Sequence, residues 1–391
     1  MKKILEIINL ASSAENFIGE QFSYFPQHGE YEMHLICSNG PNLDALVRKH
    51  HIKNLVIPIN RAITPWQDLK SLIAICRYIR KNNIDCIICH QEKGNLLGQL
   101  AGFITHVPVR IVLSHGILYE TMTGIKRTLI RLQDKMVSDM ATNTICVSHF
   151  VQDQRLKDGV DKPGKSVVLG NGSCNGIDTI NKYNPALVEQ QEVKTLKMFH
   201  GINDEDYVIG FCGRLVKDKG VVELVNAFLK LHQKYSTKGI KLFVIGDFEQ
   251  RDALPENVSE TIRNSGDIIL SGRVPYSDVQ KYYALMDVLV LPSHRDGLGL
   301  APLEAQAMGV PAIVSRCTGC RETIVEHETG EYVDLDADDI CNKLEIFMDK
   351  DKAKCYGKRG RDFVVKHFDT SIVSQNMLNY LNKLMMLDNK K

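Results

Sequence analysis

Net charge, long apolar runs and a dinucleotide-binding glycine motif are almost or wholly missing from this 391-residue sequence. Its 48 lysines and arginines nearly balance 47 aspartates and glutamates, so nucleic acid is not the expected main partner. No run approaches the ~20 consecutive apolar residues that a membrane span needs. No Gly-x-Gly-x-x-Gly follows the first predicted strand, which argues against a nicotinamide-dependent oxidoreductase. We therefore expect a cytoplasmic protein, which could also rest peripherally on the inner face of the cell membrane.

The opening MKKILEIINLASSA imitates a signal peptide, with two lysines, an apolar run and then small residues. Glu6 and Asn9 interrupt the apolar run, so residues 3–9 fit a buried first strand better, and we do not expect export. The eleven cysteines should then be reduced thiols that behave mostly as small buried hydrophobes.

Two Cys-x-x-Cys pairs raise the question of a haem or a metal. Residues 86–90 read CIICH, the pattern of covalent haem attachment, and Cys317 pairs with Cys320. The two pairs are about 230 residues apart and lack the short spacing of zinc modules, and haem attachment needs an exported protein. We expect no metal and no cofactor, and we interpret CIICH as a buried parallel strand.

Short β-branched runs alternate with helical patterns along the chain, which is typical of parallel βαβ units. The first series of strands is predicted near 3–9, 33–38, 54–59, 86–90, 109–114, 142–147 and 165–169. The second series is predicted near 207–213, 241–246, 268–271, 288–292, 311–315 and 331–334. These series predict an α/β fold with two doubly wound sheets.

A polar stretch rich in glycine and asparagine, residues 171–201, separates the two series and predicts the domain hinge. We expect domains at 1–178 and 200–369. A final helix, about 370–391, could pack back on the first domain. Because open parallel sheets bind ligands beyond the carboxyl ends of their strands, the site is expected there.

The segment PSHRDGLGLAPLEAQAMG, residues 292–309, contains the most candidate binding residues. Pro302 fits the first turn of a helix, where its missing N–H costs nothing. The backbone amides of Gly297, Leu298 and Gly299, with those of the helix start, should then converge on an anion.

Carboxylates and cations flank this predicted anion site. Asp296 in the loop and Glu304 in the first helical turn can accept hydrogen bonds from paired hydroxyls of a ribose or a hexose. Arg214 and Lys219, after the first strand of the second series, could clamp a diphosphate without a metal, and Arg273 could border the base. Each feature alone has a purely structural explanation, such as a solvated helix start. Their coincidence at three strand ends favours a nucleotide diphosphate sugar as the ligand.

Residues 211–334 resemble the donor-binding domain of the retaining glycosyltransferases of family 4, which have the GT-B fold of two facing Rossmann-like domains with a cleft between them. The matching motifs are Gly-Arg-Leu-x-x-x-Lys-Gly at 213–220, the spacing of Asp296 and Glu304, and Gly-x-Pro at 309–311. TGCRE at 318–322 also resembles the capsule and O-antigen branch of the family. These motifs cover about a third of the chain.

The resemblance implies a role for each matching residue. Arg214 and Lys219 would hold the donor diphosphate, Glu304 the ribose hydroxyls, and Asp296 the hydroxyls of the transferred sugar. The family usually has glutamate where this chain has Asp296, whose side chain is one methylene shorter.

The first domain resembles the family more loosely. His115, followed by glycine, matches a histidine beside the donor sugar, and His90 with Lys93 matches a His-x-x-Lys near the acceptor. Each histidine could instead be a structural residue satisfied by neighbouring backbone. The first loop, which contains Ser13, lacks the paired glycines common in the family but could approach phosphate or acceptor.

A predicted helix over 121–140 combines an apolar stripe with basic residues. The stripe consists of Ile125, Leu129, Leu132, Met136 and Met140, and the flanking cations are Lys126, Arg127, Arg131 and Lys135. The stripe could face the core, or the helix could form a basic surface for anionic phospholipid and an acceptor's pyrophosphate.

The resemblance implies a metal-independent retaining glycosyltransferase, and we expect it to move a hexose or N-acetylhexosamine from a UDP-sugar to a lipid-linked saccharide for a capsule, O-antigen or related glycan. In such a reaction the acceptor hydroxyl would attack the face that the diphosphate leaves. A nucleotide-sugar 2-epimerase of the same fold is the alternative, and it would need no acceptor. If the protein only bound a sugar nucleotide without catalysis, the presence of this whole set of site residues would be unexplained.

Overall fold

The chain forms two α/β units in a computed structural model that describes residues 1–60, 62 and 64–388. The first unit comprises Met1–Gly176 and the C-terminal helix from Thr370 onward, and the second comprises Ile177–Asp369. Of the predicted hinge at residues 171–201, residues 177–201 lie within the second unit.

The first unit has a parallel seven-stranded sheet in the order β3-β2-β1-β4-β5-β6-β7. Its strands are β1 (Lys2–Leu10), β2 (Tyr31–Ser38), β3 (Lys53–Val56), β4 (Cys86–His90), β5 (Val109–Ser114), β6 (Asn143–Cys146) and β7 (Ser166–Val168). Its helices before the hinge are α1 (Ala11–Phe17), α2 (Gln21–His28), α3 (Leu43–His50), α4 (Pro65–Asn82), α5 (Glu92–Ile104), α6 (Gly124–Met140) and α7 (His149–Lys157). The strand order reverses between β1 and β4, so the loops after these strands border one crevice.

The second unit has a parallel six-stranded sheet in the order β10-β9-β8-β11-β12-β13. Its strands are β8 (Tyr207–Cys212), β9 (Ile240–Ile245), β10 (Ile268–Gly272), β11 (Val288–Leu291), β12 (Ala312–Ser315) and β13 (Gly330–Val333). Its α-helices are α8 (Gln190–Phe199), α9 (Val221–Lys234), α10 (Glu256–Asn264), α11 (Val279–Tyr283), α12 (Leu300–Ala307), α13 (Ala337–Ile346) and α14 (Lys350–His367), and its short 3-10 helices are Pro185–Leu187, Lys217–Lys219 and Gly319–Thr323. Here the order reverses between β8 and β11, which places the crevice after those two strands.

The last helix, α15 (Thr370–Asp388), packs on the first unit. Tyr31 Oη donates to Asn382 Oδ1 at 2.6 Å, and Asn143 donates to Tyr380 Oη at 3.1 Å. Residues 389–391 of the predicted helix lie outside the described residues.

The strands of both sheets are largely buried because helices cover the two faces of a parallel sheet. All five residues of β4, for example, are buried. Every predicted strand has an observed counterpart, shifted by at most three residues at an end, so the predicted α/β fold with two parallel sheets is confirmed.

Candidate functional site

The second unit brings Lys219 and Asp296 together at the carboxyl ends of β8 and β11. Lys219 Nζ lies 2.5 Å from Asp296 Oδ2, and the two side chains are 17% and 16% exposed. Gly220 permits this approach because its φ is +68° and a Cβ there would lie 1.8 Å from the Pro292 carbonyl oxygen. The cation and the carboxylate predicted to serve one ligand are therefore direct neighbours.

Two further side-chain contacts, which the sequence did not indicate, fix the loops that carry these residues. Arg295 donates through Nε and Nη2 to Asp218 Oδ2, at 3.0 and 2.6 Å. His294 Nε2 lies 2.8 Å from Glu223 Oε1. Because Asp218 precedes Lys219 and Arg295 precedes Asp296, this pairing aligns the two site residues.

Glu304 lies in the second turn of α12, not in the first turn as predicted, because the helix begins at Leu300. Its Oε2 accepts a hydrogen bond from Tyr283 Oη at 2.7 Å. Tyr283 is fully buried, and burial raises the pKa of its hydroxyl well above 10, so the hydroxyl remains a donor. The sequence missed Tyr283 because an aromatic residue on a short helix usually serves the core.

The start of α12 follows the predicted glycine loop. Gly299 has φ +84° and packs so closely on Cys320 that a Cβ would lie 2.7 Å from its sulfur. Leu298 is 4% exposed, so its side chain serves the core, and only its backbone is available for a ligand. Gly297 precedes this pair in the loop. Amides at a helix start attract anions, which keeps the predicted anion site compatible with the fold.

Arg214 and Arg273 occupy more exposed positions. Arg214 Nη1 lies 3.0 Å from Glu249 Oε2, and Arg273 Nε lies 3.8 Å from Asp247 Oδ2. Their side chains are 48% and 85% exposed. Exposed pairs of this kind contribute only ~0–1 kcal/mol, so a diphosphate could replace either carboxylate.

In the first unit, Glu6, His90 and His115 form a chain of side chains. His90 Nε2 lies 2.8 Å from Glu6 Oε2, and His90 Nδ1 lies 3.0 Å from His115 Nε2. Glu6 and His90 are each 1% exposed, and His115 is half-buried. From the sequence, Glu6 served only as an argument against a signal peptide, because no neighbouring residue indicated its partner.

Burial favours the neutral form of all three groups. It raises the pKa of Glu6 well above 4.5 and lowers the pKa of His90 to about 3. Burial, and secondarily the neighbouring His90, lowers the pKa of His115 well below 6.5. Both imidazoles are therefore uncharged near neutral pH. Because both nitrogens of His90 are occupied inside the protein, His90 reaches a ligand only through His115.

Lys93 is bound within the protein. Its Nζ donates to Asp68 Oδ1 and Oδ2 at 2.8 and 2.7 Å and to the Ala62 carbonyl oxygen at 2.6 Å. These three bonds use the three hydrogens of the ammonium, so in this arrangement Lys93 anchors the start of α4. Ser13 Oγ accepts from Gln91 Nε2 at 3.0 Å, which joins the first loop to the start of α5.

The CIICH segment is the buried strand β4, as predicted. Burial raises the pKa of Cys86 and of Cys89 well above 9, so both remain thiols and not the thiolates that bind metals. All eleven cysteines are free.

One group of possible metal ligands, Glu326, His327 and Glu331, occurs within the described part of the chain, with ligand atoms within 4.8 Å of one another. Glu331 Oε2 in this group already accepts from Lys343 at 2.8 Å.

Helix α6 exposes its apolar stripe. Four of its large apolar residues face solvent, with exposed fractions of 80, 61, 53 and 49% for Ile125, Leu129, Leu132 and Met136. The interpretation of these four as a core stripe is therefore wrong. None of the helices over residues 1–60, 62 and 64–388 has the length and apolarity to cross a bilayer.

Comparisons with known proteins match nearly the whole chain. The model described as Glycosyltransferase Family 4 matches residues 14–173, and that described as Glycosyl transferases group 1 matches residues 192–363. The capsular polysaccharide biosynthesis glycosyltransferase CapM of Staphylococcus aureus is 30% identical over 98% of each chain.

A second relative and a solved structure extend these matches. The Escherichia coli UDP-Gal:alpha-D-GlcNAc-diphosphoundecaprenol alpha-1,3-galactosyltransferase is 26% identical over 93% of this chain and 92% of its own. Anabaena Alr3699/HepE in complex with UDP and glucose has a TM-score of 0.80 at 16% identity, covering 98% of this chain and all of that one.

Proposed function

The chain belongs to glycosyltransferase family 4 of the GT-B fold, and from this premise we propose that it moves a hexose or N-acetylhexosamine from a UDP-sugar to a lipid-linked saccharide in the synthesis of a capsule, O-antigen or related surface glycan. The name of the Escherichia coli relative specifies a UDP-sugar donor and a lipid diphosphate acceptor, which supports both substrate classes. The name of CapM supports the place in polysaccharide synthesis.

The observation that carries the donor assignment is the contact of Lys219 with Asp296. In the proposed complex Lys219 turns to the diphosphate, joined by Arg214 as it leaves Glu249, and Asp296 accepts from hydroxyls of the sugar. The two cations stabilise the charge that grows on the leaving diphosphate, which is the role a metal has in other transferases. Glu304, oriented by Tyr283, accepts from the ribose hydroxyls.

Retention of configuration follows in this proposal from alignment. The bond from the anomeric carbon to the diphosphate oxygen breaks as the acceptor hydroxyl approaches the same face. The acceptor's proton passes to the departing phosphate oxygen, so no nucleophilic side chain is required. The protein holds the reacting groups in line and stabilises charge.

The first unit would bind the acceptor in this proposal. Ser13 and Gln91 lie at the crevice after β1 and β4, while Lys93 fixes the nearby start of α4. His115 would lie beside the donor sugar, as the histidine that it matches does in the family.

Helix α6 would hold the enzyme on an anionic membrane surface, where a lipid-linked acceptor is found. Its exposed apolar stripe is bordered by Lys126, Arg131 and Lys135, a combination that binds acidic lipid. Sedimentation with phosphatidylglycerol vesicles should exceed that with phosphatidylcholine vesicles. Leu129→Glu should abolish this excess, whereas equal binding of the variant would contradict the assignment to α6.

A thermal-shift panel of UDP, GDP, ADP and NAD tests the donor class before any acceptor is known. A ligand at a hundred times its dissociation constant stabilises by ~2.7 kcal/mol, which moves the melting midpoint by several degrees. UDP should stabilise the wild type but not Glu304→Ala. A shift with NAD alone would overturn the proposal, and a shift with GDP or ADP would change the donor.

Transfer itself is then measured with UDP-sugars and a short-chain lipid diphosphate saccharide. An α-linked product from an α-linked donor, formed in the presence of EDTA, is the expected result. Epimerised or free sugar released without acceptor would instead favour the 2-epimerase.

A further inference from the structure

A continuous line of hydrogen-bonding atoms runs from Glu6 through His90 to His115. Each of its two contacts has room for one hydrogen, and a neutral imidazole carries its hydrogen on only one of its two nitrogens. The proton on Glu6 therefore decides which nitrogen carries the hydrogen in both rings.

Two arrangements satisfy the line. When Glu6 is protonated, its O–H donates to His90 Nε2, His90 Nδ1–H donates to His115 Nε2, and the hydrogen of His115 is on Nδ1. When Glu6 is ionised, both rings carry their hydrogen on Nε2, and His115 Nδ1 has a lone pair instead. The two arrangements differ by one proton, and both imidazoles are neutral in each.

The surroundings favour the arrangement with Glu6 protonated, since it contains no buried charge. Glu6 and His90 are each 1% exposed, and burial raises the pKa of Glu6. The ionisable groups beside Glu6 are the thiols of Cys86 and Cys89, which burial also keeps neutral. No cation near Glu6 stabilises its carboxylate within the described residues.

The outer nitrogen of His115 is the end of this line. Over residues 1–60, 62 and 64–388, no protein group hydrogen-bonds His115 Nδ1. The ring is held in place by Phe17, with ring centroids 4.5 Å apart, and by His90. The line therefore ends in a fixed but unused hydrogen-bonding atom.

We propose that Glu6 and His90 are positioning residues that hold His115 in the tautomer whose Nδ1–H is offered as a neutral hydrogen-bond donor to a substrate oxygen. The proposal rests on the proposed function, in which His115 lies beside the donor sugar. A charged imidazolium there would repel the positive charge that develops on the sugar ring, whereas a neutral N–H does not.

The tautomer is measured directly by long-range ¹H–¹⁵N NMR of unliganded protein with ¹⁵N-labelled histidine, with the His115 signals assigned from His115→Gln. At neutral pH the wild type should show the Nδ1–H form, and raising the pH until Glu6 ionises should convert it to the Nε2–H form. An Nε2–H form in the wild type at neutral pH would overturn the proposal.

Two variants of Glu6 separate positioning from simple packing. In Glu6→Gln the amide N–H replaces the carboxyl O–H, so His115 should keep its Nδ1–H and no longer respond to high pH. In Glu6→Leu the constraint is lost, and the Nε2–H form should appear. Glu32→Gln is the matched control, because its partner His34 is another buried histidine of the same sheet, 2.8 Å away, with no link to His115.

Activity supplies the second readout. Glu6→Leu should lower kcat/KM about tenfold, the effect of one misdirected hydrogen bond, while Glu6→Gln stays within about twofold of the wild type at neutral pH. Equal losses in the two variants would overturn the positioning role. Absence of transfer with every nucleotide sugar would contradict the proposed function, and the spectra of the unliganded protein would still decide the tautomer.

Discussion

The polar site residues of the two units differ in how deeply they are buried. In the first, Glu6 and His90 are 1% exposed and Lys93 is 8% exposed, and each is bonded inside the protein. In the second, Lys219 is 17% exposed and Arg214 is 48% exposed, and each is paired with one carboxylate. Burial therefore fixes the geometry of Glu6 and His90 in the first unit, and exposure leaves the charge of Arg214 in the second unit available to a ligand.

This difference indicates which side chains can leave their partners in the protein to bind a ligand. The exposed ion pair of Arg214 with Glu249 contributes ~0–1 kcal/mol, so a diphosphate can displace this carboxylate at little cost. Leaving a buried neutral polar group without its hydrogen-bond partner costs ~1–3 kcal/mol, so the buried groups keep their partners when a ligand arrives. We therefore expect variants in the second unit to affect donor chemistry, and variants in the first to affect stability and alignment.

The largest expected effect comes from the charge in the second unit. Lys219→Ala should lower kcat by ~10²-fold or more, because a preorganised cation beside the leaving group is lost. Lys217→Ala is the matched control, since this exposed lysine is in the same turn. Steady-state transfer from a UDP-sugar measures the turnover of both variants. Near-normal turnover in Lys219→Ala would contradict the assignment of Lys219 to the donor diphosphate.

Acid should destabilise the first unit through its buried histidine. The pKa of His90 is about 3 in the fold against 6.5 for a free side chain, so between these values the unfolded chain binds more protons. Stability from this group is complete above about pH 6.5 and is lost as the pH falls, by up to ~1.4 kcal/mol per pH unit.

Glu6 contributes with the opposite sign, because its pKa in the fold is raised above 4.5. Its stabilisation is complete below about pH 4.5 and is lost as the pH rises through the folded-state pKa. Urea unfolding of the wild type and His90→Gln between pH 3 and 7 measures the difference. Parallel pH profiles for the two proteins would contradict the buried neutral histidine.

A change at Tyr283 tests how far the second unit also depends on buried alignment. Tyr283→Phe removes the hydrogen bond to Glu304 without changing shape, and should raise the Kd for UDP about tenfold, since bonds to charged groups contribute ~1.5–3 kcal/mol. Calorimetry of UDP binding measures the effect. The neighbouring Tyr282→Phe should bind UDP normally, and equal weakening in both variants would refute the specific role.

The smallest effect on UDP binding is expected at Arg273, the most exposed of the three predicted donor-site cations. Arg273 is 85% exposed and 3.8 Å from its partner, so Arg273→Ala should change the Kd for UDP by less than about threefold. Arg214→Ala, measured beside it, should weaken binding more. The reverse order would show that Arg273 contacts the nucleotide more closely than Arg214.

The sequence alone was sufficient for the strands and for the positions of the donor motifs. Period-2 and 3.6 patterns and glycine signals act over a few residues, so β8 and β11 and the polar residues that follow them could be predicted. Residues that follow adjacent strands of one sheet meet at its edge, which is why Lys219 and Asp296 could be expected together although they are 77 positions apart in the chain.

Only the tertiary structure decided which groups are buried together. Glu6 meets His90 because β1 pairs with β4, and a carboxylate in an apolar run shows locally neither its partner nor its raised pKa. Likewise, the stripe of α6 has the same 3.6 periodicity whether it faces core or solvent, and only the packing of its neighbours leaves it exposed. The local sequence pattern determines the helices and strands. Packing between distant parts of the chain determines how polar the surroundings of each side chain are and which groups it contacts, and these two factors set its chemistry.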